Sequence, residues 1–210
     1  MSFLTSPLGS LMSHPPIREK LINKLGGEDQ FRGVYSAVSA LTLAPTVFLY
    51  ARYGKGKGAQ LWKGTGMGNK VVSTTLKGMG ALSFAAAITN PSMMSIDSSG
   101  GKDDAEPMGL NRITRHGVFM AFAFLGLGNV VARGFLGDVV FWSGFPIFWV
   151  VGSLHQDMRK RMTLPASFFE KTSLLPFKAI IEGRNSGRKA LEEMDKKALA
   201  IAVIAPLFLL

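Results

Sequence analysis

Four apolar runs fix what this chain can become. They cover Val34–Ala51, Val71–Thr89, Val118–Ala132 and Val139–Leu154, and a fifth run, Ala198–Leu210, ends the sequence. The hydrocarbon core of a bilayer is about 30 Å thick and takes about 20 apolar residues in a helix. In lipid the backbone amides have to be satisfied within the spanning structure, and runs of this length do that as helices. The expected fold is therefore all-α: a polytopic membrane helical bundle of four full spans, with a fifth that is tilted, partly inserted or truncated. Composition agrees. With 47% hydrophobic and 18% charged residues, the chain is too apolar for an ordinary soluble domain.

The charges sit between the runs. A net charge of +10 invites nucleic acid as a partner, but the lysines and arginines fall in short loops that flank apolar segments. Membrane-flanking charge explains them, and nucleic acid is set aside. Ile17–Leu25 places Ile17, Leu21, Ile22 and Leu25 on one helical face, as a surface-lying amphipathic helix does, and Gly26-Gly27 ends it. Gly54–Asn69 is glycine-rich and basic but lacks the G-x-x-x-x-G-K-[ST] pattern, so it is no phosphate loop. Phe168–Ile181 reads as a second interfacial segment broken by Pro176, and Ser186–Lys197 as a solvated helix. The organisation expected is an irregular segment 1–16, a membrane domain 17–185, and a charged helix with a final apolar helix over 186–210. Counting crossings puts His14, His116 and His155 on one face, with the Arg159–Arg161 cluster marking the cytoplasmic or stromal side. The absence of cysteine excludes disulfides, thiolate metal sites and a cysteine nucleophile.

Several residues inside or beside the spans invite a role. Pro45 should bend the first helix. Gly78, Gly80, Ala81 and Ala85–Ala87 let a neighbouring backbone come close, which makes the second helix the expected centre of the bundle. Lys77 can snorkel towards a surface. Asn129 is expected to hydrogen-bond to a neighbouring helix, and Trp62, Trp142 and Trp149 to mark interfaces or a lipid face. The third run begins without a break from Arg112-Ile113-Thr114-Arg115-His116. An imidazole at that boundary can titrate, bind a metal, or hydrogen-bond at the interface.

That stretch also resembles the signature R-[IV]-T-R-H-P of the NnrU family, which includes the 15-cis-zeta-carotene isomerases of plastids and cyanobacteria. Further stretches resemble the same family in the same order. They are LINKLGGEDQFRGVYSAVS; Gln60-Leu61-Trp62; Thr89-Asn90-Pro91; Gln156-Asp157 with Arg159–Arg161; and EKTSLLPFKAIIEGR, Glu170–Arg184. The resemblance implies a helical membrane protein. For the isomerase branch it also implies haem b held by two histidines and redox-gated isomerisation of a polyene. His116 matches the signature histidine. The other histidine positions of the family fall, in this chain, on Met12, with His14 two residues away, on Ala51 and on Asn129, and the signature proline is Gly117.

The reading that follows is a non-catalytic integral membrane subunit of a larger plastid complex, in contact with lipid and with other subunits. The alternative is a haem-dependent carotenoid isomerase using His116 with Met12 or His14. Further alternatives are an accessory to nitrogen-oxide respiration and a mitochondrial complex subunit. If a metal is held, as iron in haem b or magnesium in chlorophyll, His116 is the expected ligand; the other reading is an empty site. Arg112 and Arg115 would face propionates or lipid phosphates, and Asn129 would assist. Glu170–Arg184 is expected to brace the membrane surface.

Overall fold

The spans are tied together by their ends and by one short central helix. The structure, a computed structural model, describes residues 12, 14–89, 94, 106–196 and 200. Most of the segment 1–16, most of the Ser95–Pro107 loop and all of the Ala198–Leu210 run except Ala200 lie outside these residues. Helix α1, Pro15–Leu25, begins on proline, whose missing amide is no loss in a first turn, and stops where Gly26 turns left-handed at φ 89°. Helix α2, Glu28–Leu49, carries Glu28 and Asp29 in its first turn, where the helix dipole favours them, and runs on through a π turn at Tyr50–Gly54. Ser39, Thr42 and Thr46 hand their hydroxyl protons back to carbonyls of their own helix, as polar side chains in a span can.

Helix α3 is Met67–Thr89, α4 the single turn Leu110–Ile113, α5 Gly117–Arg133 and α6 Leu136–Lys160. The 28–54, 67–89 and 136–160 helices are each long and apolar enough to cross a membrane, and the 17-residue α5 is a shorter apolar helix beside them. The expected helical membrane bundle is what the chain forms. Its centre, however, is α5 and not α3, because α5 packs against both α3 and α6. Glycines on two faces of α5 allow this. A Cβ on Gly128 would lie 3.0 Å from the Ser73 carbonyl of α3, and one on Gly126 would lie 2.6 Å from the Trp142 carbonyl of α6. From the other side Gly80 of α3 comes as close to the Ala121 carbonyl. With little hydrophobic drive between helices in lipid, such backbone approaches are what holds spans together. Phe119 and Phe148 meet edge to face at 5.0 Å and fill the α5–α6 seam.

The α5–α6 hairpin turns at Gly134, φ 73°, and the 54–69 loop is laced over it: Leu61 N–H donates to the Gly134 carbonyl (2.8 Å) and Leu136 N–H to that of Ala59 (2.9 Å). The loop's glycines serve this contact. A Cβ on Gly64 would sit 1.9 Å from the Ala132 carbonyl. Asp138, 1% exposed, accepts from the Tyr50 hydroxyl at 2.5 Å and the Gly56 amide at 3.1 Å, and so fastens the end of α2 to the start of α6. Trp142 donates to the same hydroxyl (2.9 Å), Trp149 packs on the core that holds Ala85, Ala86 and Met120, and Trp62 donates to the Val131 carbonyl (3.2 Å). These indoles hold helices together. Short helices α7, Ala166–Lys171, α8, Lys178–Ile181, and α9, Gly187–Glu192, complete the described chain. The solvated helix expected over 186–197 is shorter, and Ala190 and Met194 are buried in the core cluster with Leu110 and Ile113.

Candidate functional site

Arg112, Thr114, Arg115 and His116 precede α5 at one end of the bundle, and each has a built receptor. Arg112 forks onto Glu193, Nε to Oε2 at 2.7 Å and Nη2 to Oε1 at 2.8 Å, and gives its third donor to Asn185 at 2.9 Å. The Arg112 guanidinium beside Glu193, joined by the Gly109 amide at 2.7 Å, holds the Glu193 carboxyl below the usual carboxylate range. Thr114, fully buried, donates to the Leu174 carbonyl at 2.9 Å. Backbone contacts run beside these: Arg115 N–H to the Ser173 carbonyl and Phe177 N–H to the Ile113 carbonyl, both 2.9 Å. Phe177 adopts φ 63°, a left-handed turn that returns the chain into α8.

Arg115 is slightly more buried than Arg112. Its guanidinium forks onto Asp157 of α6, Nη2 to Oδ2 at 2.6 Å and Nε to Oδ1 at 3.3 Å. Nη1 turns the other way, to the Thr172 carbonyl at 2.9 Å, and the group lies 5.2 Å from the Phe169 ring centre. The pair is 7% and 10% exposed, so a single carboxylate and a ring of carbonyls replace its water. The segment 172–177 is thus the floor on which the basic turn rests. That refines the brace expected of Glu170–Arg184: Leu175, Phe177 and Ile181 do stay exposed as an apolar face, while Thr172 and Ser173 are buried against the basic turn.

His116 is the N-cap of α5, and its side chain is fully buried. Nε2 meets Asp157 Oδ1 at 2.8 Å and Nδ1 meets Gln156 Oε1 at 3.1 Å. The amide of Gln156 is oriented by its own NH2 group, which donates to the Met94 carbonyl and leaves the oxygen for histidine. Asp157 is already the acceptor of Arg115. Both ring contacts are satisfied together only when each nitrogen carries hydrogen. The Phe119 ring stacks at 5.9 Å and 16°, closing one face. To hold iron or magnesium, a nitrogen would have to leave Gln156 or Asp157, since a metal takes the lone pair of a neutral imidazole. The arrangement present does not fit an axial ligand.

The other expected site residues do not gather here. His14 is exposed at the N-cap of α1, with Met12 half-buried just before it, and neither is a hydrogen-bond partner of the His116 ring. Asn129 lies about 20 Å further along α5 by helical rise. It donates to the Leu125 carbonyl of its own helix at 2.8 Å and not to a neighbour. Among the described residues no group of three or more acidic or histidine side chains is placed to hold a metal ion. Asp157, Gln156, Thr172 and Glu193 were not expected as site residues. One signal points to Asp157: equal lengths counted down the two arms of the hairpin, from Arg133 and from Leu136, set His116 opposite Ser153, one turn from Asp157.

No curated protein and no solved structure matches the chain. A family model described as NnrU protein matches residues 3–210, essentially its whole length. The chain, an integral membrane protein by its spans, belongs to the NnrU family.

Proposed function

We propose that this NnrU-family protein is a non-catalytic membrane component of a larger assembly, in which His116 is a structural clasp between α5 and α6. The observation that carries the reading is the use of both His116 ring nitrogens by oxygen acceptors of α6. A redox-gated mechanism needs an axial ligand that can let go of or take up a metal; here that ligand would first have to abandon one of its two buried hydrogen bonds. The Gln60-Leu61-Trp62 and Glu170–Arg184 stretches resemble the plastid branch, which makes a plastid membrane the first place to look. The test is a reduced-minus-oxidised absorbance spectrum of the full chain purified from a haem-producing host. The proposal expects no stoichiometric haem b signal. A haem b band that disappears in His116→Ala would overturn it in favour of the isomerase. Pull-down from native membranes then names the assembly: photosystem subunits or respiratory subunits in fixed ratio support a subunit role, and recovery of the protein alone argues against it.

A further inference from the structure

The short helices α4, α8 and α9 lie beside the outermost turns of the spans. Leu110 and Ile113 of α4 and Ala190 of α9 share one buried cluster with Ala85 and Ala86 of α3 and Met120 of α5, and Ile180 of α8 packs against it. Ala86 is three residues before the end of α3, and Met120 three after the start of α5. By helical rise that is about 5 Å inside each span. Helix α3 has 23 residues. It is about 35 Å long against a hydrocarbon core of about 30 Å, so these turns stand at the boundary of headgroups and acyl chains. At this level the short helices turn an apolar face outwards. Leu175 and Phe177 just before α8 and Ile181 at its end are exposed, Ile181 at 82%, while Ala179 between them is fully buried. Phe84 and Ile88, in the last turns of α3, are exposed at the same level. Phe177 carries a second signal. It is the one non-glycine residue with left-handed backbone among the described residues, φ 63°. Glycine takes this conformation without steric cost, so a phenylalanine persists there only where its surroundings favour the ring. At 46% exposed, Phe177 finds only part of that cover in the protein. Lys171 and Lys178 rim the face, but each already holds a carboxylate, Glu106 and Glu182. Apolar area, and not headgroup charge, is therefore what can seat this face.

We propose that Leu175, Phe177 and Ile181 are inserted among the lipid acyl chains, so that the segment 175–181 enters the leaflet as a flank of the bundle instead of resting on the headgroups. The chain has no cysteine, so single cysteines can carry an environment-sensitive fluorophore without further changes. Labels go on the full chain at Ile181→Cys, at Leu175→Cys as a second variant should the first fail to fold, and at Lys57→Cys, an exposed position in the 54–69 loop. Each is reconstituted in vesicles of phosphatidylcholine, with and without a nitroxide on the acyl chain near its carbonyl end. The labels at 181 and 175 should emit to the blue of the label at 57 and lose intensity to the nitroxide. High salt should leave both effects unchanged, since the seat is apolar. Water-like emission at both 181 and 175 would overturn the proposal. So would blue emission without nitroxide quenching, which would place the face against protein, or equal quenching at 57. A blue shift that high salt abolishes would contradict the apolar seat. Phe177→Gly relieves the backbone and should unfold in micelles no more readily than the parent. A marked loss of stability would show that the ring packs on protein, and would overturn the role given to Phe177.

Discussion

Asp157 receives both the buried Arg115 guanidinium and the buried His116 ring, and its replacement tests the clasp most severely. In Asp157→Leu, Arg115 loses both bonds of its fork and His116 loses its 2.8 Å partner. Removing one member of a buried pair costs about 3–5 kcal/mol, because the survivor stays dry and uncompensated. Arg115 keeps the Thr172 carbonyl at 2.9 Å and the Phe169 ring, so part of its charge is still screened. The lower end applies, about 3 kcal/mol. Arg115→Met leaves Asp157 with the His116 ring, and a hydrogen bond to a charged group offsets about 1.5–3 kcal/mol of the loss, which puts that variant near 2 kcal/mol. In the double variant no lone charge remains from the pair, and the two costs should not add; the coupling should be about 2 kcal/mol. The assay is reversible unfolding in mixed micelles, followed by tryptophan emission, for the four members of the cycle. Single variants within about 0.5 kcal/mol of the parent, the range of ordinary surface changes, or strict additivity, would refute the reasoning.

Three other outcomes follow from the packing and the charges. Gly126→Ala should destabilise by about 1–3 kcal/mol, since its Cβ would meet a carbonyl that cannot move away, whereas Gly33→Ala, which meets nothing within 4 Å, should be neutral or stabilising by up to about 1 kcal/mol; the same unfolding assay compares them. Asp138→Ala removes the acceptor of Tyr50 and of the Gly56 amide and should cost about 2 kcal/mol, with increased proteolysis of the 54–69 loop as a local readout. Glu193 has a folded-state carboxyl lowered by Arg112, so its contribution is present above the unfolded value of about 4.3 and is lost as pH falls through the folded one. Stability should decline in acid below about pH 4. Glu193→Gln should flatten that limb, and an unchanged limb would show that other carboxylates govern it.

The spans were legible because each is one continuous apolar run, and the Gly134 turn because left-handed backbone favours glycine. The RITRH segment was visible as the start of a helix, and its histidine as a residue with a role. What the role is depended on partners far along the chain. Asp157 reads in the sequence as an ordinary polar residue at the end of a span, and Thr172 as part of an interfacial segment; only antiparallel packing of α5 on α6 and the fold-back of 172–177 make them receptors for Arg115. Asp138 likewise looks like a turn residue until Tyr50, from another span, reaches it. An amphipathic indole suits a headgroup boundary and a donor site between helices alike, and the sequence does not say that Trp142 donates to the Tyr50 hydroxyl. Asn129 misled because its amide can be satisfied within its own helix.

The central claim is that the His116 ring is consumed by Gln156 and Asp157. Nitrogen-15 NMR of histidine-labelled protein, with His14 and His155 replaced by glutamine so that one ring remains, reads this directly. The account predicts two ring nitrogens each bearing a slowly exchanging hydrogen, one of which loses its protection in Asp157→Leu. A ring nitrogen without hydrogen, or one shifted by a bound metal, would contradict it.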